Sequence, residues 1–212
     1  MNRRTCIITA TIAALTVSVL GTATFAEPQR APEPHIVPSS WELEIEHATP
    51  RVISVQLPGE DERRHYWYMT YTVTNRSGDD QFFVPEFTMI TDRGDVLQAN
   101  QGTPPRVVQI IKNREGNPLL ERPTQIIGRL LQGPDNARDG MAVWPMPEHN
   151  VRNVRIFIAG LSGEIHTVED PATGEERRLR KTLMLEYNLP GSERYMPEKR
   201  FMRAEPPEWV VR

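Results

Sequence analysis

The stretch from Tyr66 to Asn75 constrains the fold more than any other part of this chain. It consists almost entirely of aromatic, β-branched and other apolar residues, and the first two types fit the pleated surface of a sheet. Alternate side chains of a strand point to opposite faces. The face predicted to contact a core carries Trp67, Met69, Tyr71 and Val73. Tyr66 and Tyr68 lie on the other face.

Most of the chain after Trp41 shows a similar pattern, in which short apolar or alternating runs are separated by turn-forming residues. The predicted strands are 41–47, 51–57, 66–75, 82–92, 96–97, 125–132, 141–145, 154–159, 179–188 and 209–211. One segment opens with Pro104 and Pro105, has apolar residues three and four apart and ends at Asn117, which indicates a helix. The sequence therefore predicts an all-β sandwich with one short helix in a crossover connection.

The first residues have the pattern of an export signal. Arg3 and Arg4 precede an apolar run from Ile7 to Leu20, and Ala26 ends a small-residue site. This order predicts a secretory signal peptide over residues 1–26, and an uncleaved anchor is the alternative. The expected location is the periplasm, the cell envelope or the extracellular space.

A proline-rich stretch follows the predicted signal. Residues 27–40 contain four prolines and favour an extended linker that buries little surface, so the folded domain is expected over 41–212. The chain has one cysteine, Cys6, which lies inside the predicted signal. The exported domain therefore has no thiol nucleophile, zinc–thiolate site or iron–sulfur cluster.

The charge of the chain argues against a nucleic-acid partner. The 25 basic and 28 acidic residues give a net charge of −3 and are interspersed, whereas nucleic-acid-binding proteins usually carry a basic patch. A local basic cluster follows Glu175 and Glu176 and is interpreted as a solvated strand edge; it consists of Arg177, Arg178, Arg180 and Lys181. After the signal, no stretch is apolar enough to span a membrane.

The run from Trp67 to Asn75, followed by Arg76-Ser77-Gly78-Asp79, resembles an early strand and turn of exported bacterial immunoglobulin-like domains. The segments Phe157–Glu164 and Leu179–Leu183 also look like parts of exported bacterial proteins. This resemblance implies an immunoglobulin-like β-sandwich and an exported location. It transfers no functional residue, and the Cys…Trp…Cys core of antibody domains is missing.

Two short motifs suggest functions that turn chemistry explains better. Arg93-Gly94-Asp95 spells an integrin-recognition tripeptide, but a glycine among polar residues between two strands is what a hairpin turn needs. Ser162 lies between Gly160 and Gly163, but the spacing differs from that of a nucleophile elbow and no helix pattern follows. Both are interpreted as turns.

The histidines do not show the spacing of a helical metal site. They are His35, His47, His65, His149 and His166. His47 and His166 are the most plausible ligands, because Glu46 and Glu164 are close in sequence. A satisfied or exposed histidine is the favoured interpretation, so no metal or other cofactor is predicted.

The pair Tyr66 and Tyr68 is the remaining candidate site. If their face is exposed, the two rings could stack on a sugar, whereas a covering sheet or helix would make them core residues, which is the favoured interpretation. The leading functional prediction is a non-catalytic binding or structural protein of the bacterial cell envelope or periplasm, with an envelope protein or glycan as partner. The alternatives are a carbohydrate-binding module and an enzyme of unknown class.

Overall fold

Antiparallel strands form most of the regular structure in the computed structural model, which describes residues 32–170, 173–189 and 201–212. These described residues belong to one compact unit, and the predicted signal peptide lies outside them. In chain order the strands are β1 (Glu44–His47), β2 (Arg51–Gln56), β3 (Arg63–Thr74), β4 (Gln81–Phe83), β5 (Glu86–Thr91), β6 (Val96–Gln98), β7 (Gly128–Leu130), β8 (Arg138–Pro145), β9 (Asn153–Ala159), β10 (Ile165–Glu169), β11 (Glu176–Asn188), β12 (Met202–Arg203) and β13 (Glu208–Val211). The α-helices are α1 (Pro105–Glu115) and α2 (Pro123–Ile126), and Pro134–Asn136 form one turn of 3-10 helix.

The first sheet is built around β3. β1 and β2 pair with successive parts of β3. β8 pairs with a middle part of β3 that overlaps the stretch paired with β1 and the stretch paired with β2. β1 and β2 therefore lie end to end along one edge of β3, with β8 along the other.

The second sheet has the order β10-β11-β9-β5-β6, and β12 and β13 also pair with β11. Because β10 pairs with the first part of β11 and β9 with the last part, β10 and β9 occupy successive positions along one side of β11. A separate pair, β4 and β7, forms a small third sheet.

The larger apolar core lies between the two main sheets. It includes Trp67, Met69, Tyr71 and Val73 from β3, Ala142 and Trp144 from β8, Phe87 and Met89 from β5, Val154, Ile156 and Ile158 from β9, and Leu183, Leu185 and Tyr187 from β11. The predicted core face of β3 is thus confirmed, as is the all-β sandwich.

Helix α1 covers the outer face of the first sheet. Pro105 occupies its first turn, where a missing N–H costs nothing, and Gly116 ends it with a φ of 65°, which glycine adopts without strain. A second apolar cluster lies beneath the helix and contains Ile53, Val55, Leu57, Tyr66, Tyr68, Val107, Val108, Ile111, Leu120, Met141 and Val143. In the chain the helix follows β6 of the second sheet and precedes β7 of the small sheet and β8 of the first sheet, so the predicted crossover helix is confirmed.

Three predicted segments differ from the structure. Residues 125–132 were predicted as one strand, but α2 and the short β7 occupy this region. The predicted strand 82–92 is interrupted at Val84 and Pro85, where a proline lacks the N–H that a ladder needs. The predicted strand 179–188 begins earlier, at Glu176, where it pairs with β10, a strand that was not predicted.

Candidate functional site

Five ionisable side chains from separate parts of the chain meet at one end of the second sheet. They are His35, Glu42, Glu164, His166 and Lys181, and we call them the Glu164 cluster. Glu164 comes directly before β10, His166 lies in β10 and Lys181 lies in β11. His35 and Glu42 belong to the segment that precedes β1.

Backbone contacts bring the N-terminal segment to this place. Glu42 forms an isolated bridge with Ser162, and the Gly163 N–H donates to the Trp41 carbonyl at 3.1 Å. A Cβ on Gly163 would lie 2.4 Å from the Trp41 ring nitrogen, so only glycine allows this close approach. Within the predicted linker 27–40, His35 also contacts Glu164 of the sandwich, so this part of the stretch lies against the domain.

The Glu164 carboxylate is the centre of the cluster and is 4% exposed. Its Oε1 accepts the His35 backbone N–H at 3.1 Å. The same oxygen lies 3.0 Å from His35 Nδ1 and 2.7 Å from His166 Nε2. The two imidazole rings stack with centroids 5.4 Å apart, so both present a nitrogen to one carboxylate oxygen.

Lys181, 2% exposed, lies on the other side of this carboxylate. Its Nζ is 3.4 Å from Glu164 Oε2 and 2.7 Å from Glu42 Oε1. It donates to the His35 carbonyl at 3.1 Å and lies 5.2 Å from the centroid of the Trp209 ring. The contact of Lys181 with Glu42 is thus an ion pair of two largely buried groups.

The charged groups keep their charges despite burial. Burial alone would raise the pKa of Glu164, but hydrogen bonds from His166 and His35 and the Lys181 charge outweigh it and hold that pKa well below its usual range. Burial alone would lower the pKa of Lys181, but contacts with Glu42 and Glu164 raise it instead. Both shifts move the pKa of the group further from neutral pH, whereas a general acid or base works best with a pKa near the operating pH.

The arrangement has the donor types of a metal site. One ligand atom each from His35, Glu164 and His166 lies within 4.8 Å of the other two. The sequence singled out His166 and the nearby Glu164, and the structure brings these two together. The sequence did not indicate that His35, Glu42 and Lys181 belong to the same cluster, because nothing in a single sequence signals contacts between such distant positions.

A cleft of about 560 Å³ lies beside the loop that joins β2 to β3. Its charged and polar walls are Glu60, Glu62, Arg63, Arg64, His65 and Glu148. Tyr66, Met146 and Pro147 complete the lining. Arg64 pairs with Glu60 at 2.6 Å, while no ion pair joins Arg63 or Glu62 to another described residue. As far as the described residues go, Arg63 and Glu62 therefore offer a ligand one charge of each sign.

A smaller cleft, of about 360 Å³, lies where β1, β3 and the C-terminal end of α1 meet. His47 lines it with Glu46, Glu115 and Asp139. Asp139 accepts hydrogen bonds from Thr72 and Asn117, and burial lowers the pKa of His47. The His47 ring nitrogens contact the Ala48 carbonyl and the Arg203 guanidinium, so both are already engaged.

The structure places Tyr66 and Tyr68 in the cluster under α1, where they are 2% and 0% exposed. Tyr68 donates to Glu115 Oε1 at 2.7 Å. Rings covered by a helix cannot stack on a sugar, so the two-ring platform does not exist, although Tyr66 reaches the wall of the larger cleft.

The two short motifs lie in turns. The Arg93 and Asp95 N–H groups both donate to Thr91 Oγ1, and the Asp95 carboxylate contacts Thr91 and His149. Ser162 accepts the Glu164 N–H at 3.1 Å and is 9% exposed. Its hydroxyl therefore shapes the turn that positions Glu164.

The fold and the site define a class: an all-β sandwich with a helix on one outer face and a buried ion cluster at the N-terminal attachment. Comparison with protein-family models, with curated proteins and with solved structures gave no match. Within the described ranges, no helix has both the length and the apolar character that crossing a membrane requires.

Proposed function

We propose that this chain is a non-catalytic binding protein of the bacterial cell envelope or periplasm and that the larger cleft holds its ligand. The observation that carries the proposal is the size and lining of this cleft. Its volume of about 560 Å³ falls within the range of about 300–1,000 Å³ that is usual for ligand sites. The exported location and the immunoglobulin-like relationship stay predictions from the sequence.

The chemistry of the lining favours a glycan as the ligand. Arg63 can donate several hydrogen bonds and Glu62 can accept them, which suits a ligand rich in hydroxyl groups. An envelope glycan that carries carboxylate or phosphate groups would also pair with Arg63. The carbohydrate-binding alternative thus rests on this cleft and no longer on stacked tyrosines.

The proposal can be tested by isothermal titration calorimetry on the predicted exported chain, residues 27–212. The titrants are soluble glycan fragments released from a bacterial cell envelope. We expect saturable binding that Arg63→Ala weakens about tenfold or more, because a hydrogen bond to a charged group contributes about 1.5–3 kcal/mol.

Arg93→Ala is the matched control, since Arg93 is also exposed but lies in the turn between β5 and β6. Its affinity should equal that of the unchanged chain. Equal loss in both variants, or no heat of binding with any fragment, would contradict the proposal. A protein partner captured equally well by the Arg63→Ala variant would place the binding surface elsewhere.

A further inference from the structure

We infer that His35, Glu164 and His166 form a binding site for a divalent transition-metal ion of the zinc type. This site is separate from the larger cleft and does not depend on the proposed function. Its ligands come from the N-terminal segment and from the start of β10. A bound ion would therefore fasten that segment to the second sheet.

The positions of the donor atoms need little change to accept an ion. His35 Nδ1 and His166 Nε2 lie 3.0 Å and 2.7 Å from the same oxygen of Glu164. Ligand atoms about 2.0–2.1 Å from a tetrahedral zinc ion are about 3.3 Å apart. The His35 contact would have to open by about 0.3 Å and the His166 contact by about 0.6 Å to reach this separation. The two nitrogens, which lie within 4.8 Å of each other, would have to settle at a similar distance.

The donor set selects the kind of ion. Two imidazole nitrogens and one carboxylate oxygen suit zinc and its neighbours in the first transition series, whereas calcium and magnesium prefer oxygen ligands throughout. With three protein ligands, a water molecule would complete the tetrahedron.

The charge balance of the cluster allows a cation despite the nearby lysine. Glu42 and Glu164 carry two negative charges and Lys181 one positive charge, so the cluster has a net charge of −1 when both imidazoles are neutral. Lys181 lies nearer to Glu42, at 2.7 Å, than to Glu164, at 3.4 Å. It contacts Oε2, whereas Oε1 faces the two imidazole nitrogens and also accepts the His35 backbone N–H.

One side of the site is open to solvent. The His35 side chain is 58% exposed, compared with 17% for His166 and 3% for Glu164. His35 also lies outside any helix or strand, so its ring can adjust. The ion and its water ligand can therefore enter past His35 without unfolding the sandwich.

The test is a titration with zinc of the chain as cells express and process it, after removal of metal with a chelator. We expect one zinc ion per chain. His35→Ala and His166→Ala should each weaken binding about tenfold or more, since the loss of a residue that merely supports a metal ligand already costs about 10–100-fold. Substitution with cobalt(II) should give the visible absorption bands of a tetrahedral site, and both variants should lose them.

His149→Ala is the matched control, because His149 also contacts a carboxylate, that of Asp95, at 2.8 Å. It should bind zinc as the unchanged chain does. Circular dichroism checks that the variants fold, and zinc should raise the unfolding temperature of the unchanged chain but not that of His35→Ala. Absence of zinc binding, or binding that His35→Ala leaves intact, would overturn the inference.

Discussion

Asn75 shows how one buried polar side chain fixes a turn. It is 0% exposed, and its amide nitrogen donates to the carbonyls of Asp79 and Leu130, each at 2.9 Å. Its Oδ1 accepts from Ser77 and Gln132. The side chain thus joins the end of β3, the following loop and the end of β7.

Replacing Asn75 with alanine should lower the free energy of unfolding by about 2–3 kcal/mol, because it leaves buried polar groups without partners. Urea denaturation followed by circular dichroism measures this change. The control is Asn113→Ala on the exposed side of α1, which should shift the free energy by less than about 0.5 kcal/mol. Equal effects would show that Asn75 does not fasten the turn.

At the scale of elements, the strands with strong period-two patterns could be predicted from the sequence, whereas α2 and the two-residue β12 could not. β3 and β11 are long enough for their alternation to be visible. α2 has four residues, which is about one helical turn, so its sequence is too short to show a helical pattern of apolar residues. It depends instead on a local contact, in which Gln125 accepts the Arg122 N–H at 3.0 Å.

The attachment of α1 to β3 has a polar component that the apolar pattern did not reveal. Glu115, the last residue of the helix, accepts from the Tyr68 hydroxyl at 2.7 Å and from Arg51 at 2.7 Å. Burial is the main cause and the hydrogen bond to Glu115 the second cause that raise the pKa of Tyr68 to about 12. The helix is therefore sensitive to the ionisation of a tyrosine.

This pKa predicts the response to alkaline pH. Neutral Tyr68 contributes to the free energy of unfolding. This contribution is fully present below the pKa of about 10 that the tyrosine has in the unfolded chain, and it is lost as the pH rises through the folded-state pKa of about 12. Between about pH 10 and about pH 12, the free energy of unfolding of the unchanged protein should fall by about 1–3 kcal/mol more than that of the Tyr68→Phe variant. Urea denaturation of both proteins at a series of pH values measures this, and parallel curves would refute it.

At the scale of the whole molecule, the Glu164 cluster could not be predicted as a unit. His35 and Glu164 are 129 positions apart, and only the fold brings them together. The sequence did indicate the pairing of His166 with Glu164, because the two residues are close in the chain. Lys181 looked like part of a solvated basic run, yet its position on β11 turns it to the buried side of the sheet.

Lys181→Met tests whether the cluster holds the N-terminal segment to the sandwich. The change leaves Glu42 and Glu164 close together without a neutralising charge, and we expect a loss of about 3 kcal/mol in unfolding free energy. Adding Glu42→Gln should recover about 1 kcal/mol or more, since the two positions are coupled. Urea denaturation of the single and double variants measures both quantities.

The control is Arg177→Met, which breaks the exposed pair with Asp170 and should cost less than about 1 kcal/mol. Losses of equal size for Lys181 and Arg177 would mean that the buried cluster does not stabilise the molecule more than a surface pair does.

The central claim, that the larger cleft is a ligand site, is tested most directly by mapping amide chemical shifts. Isotope-labelled protein is titrated with soluble envelope glycan fragments. The account predicts changes at residues 60–66 and 146–148, with the smaller cleft and the Glu164 cluster unaffected. Changes concentrated at His47 and Asp139, or no changes at millimolar glycan, would contradict it.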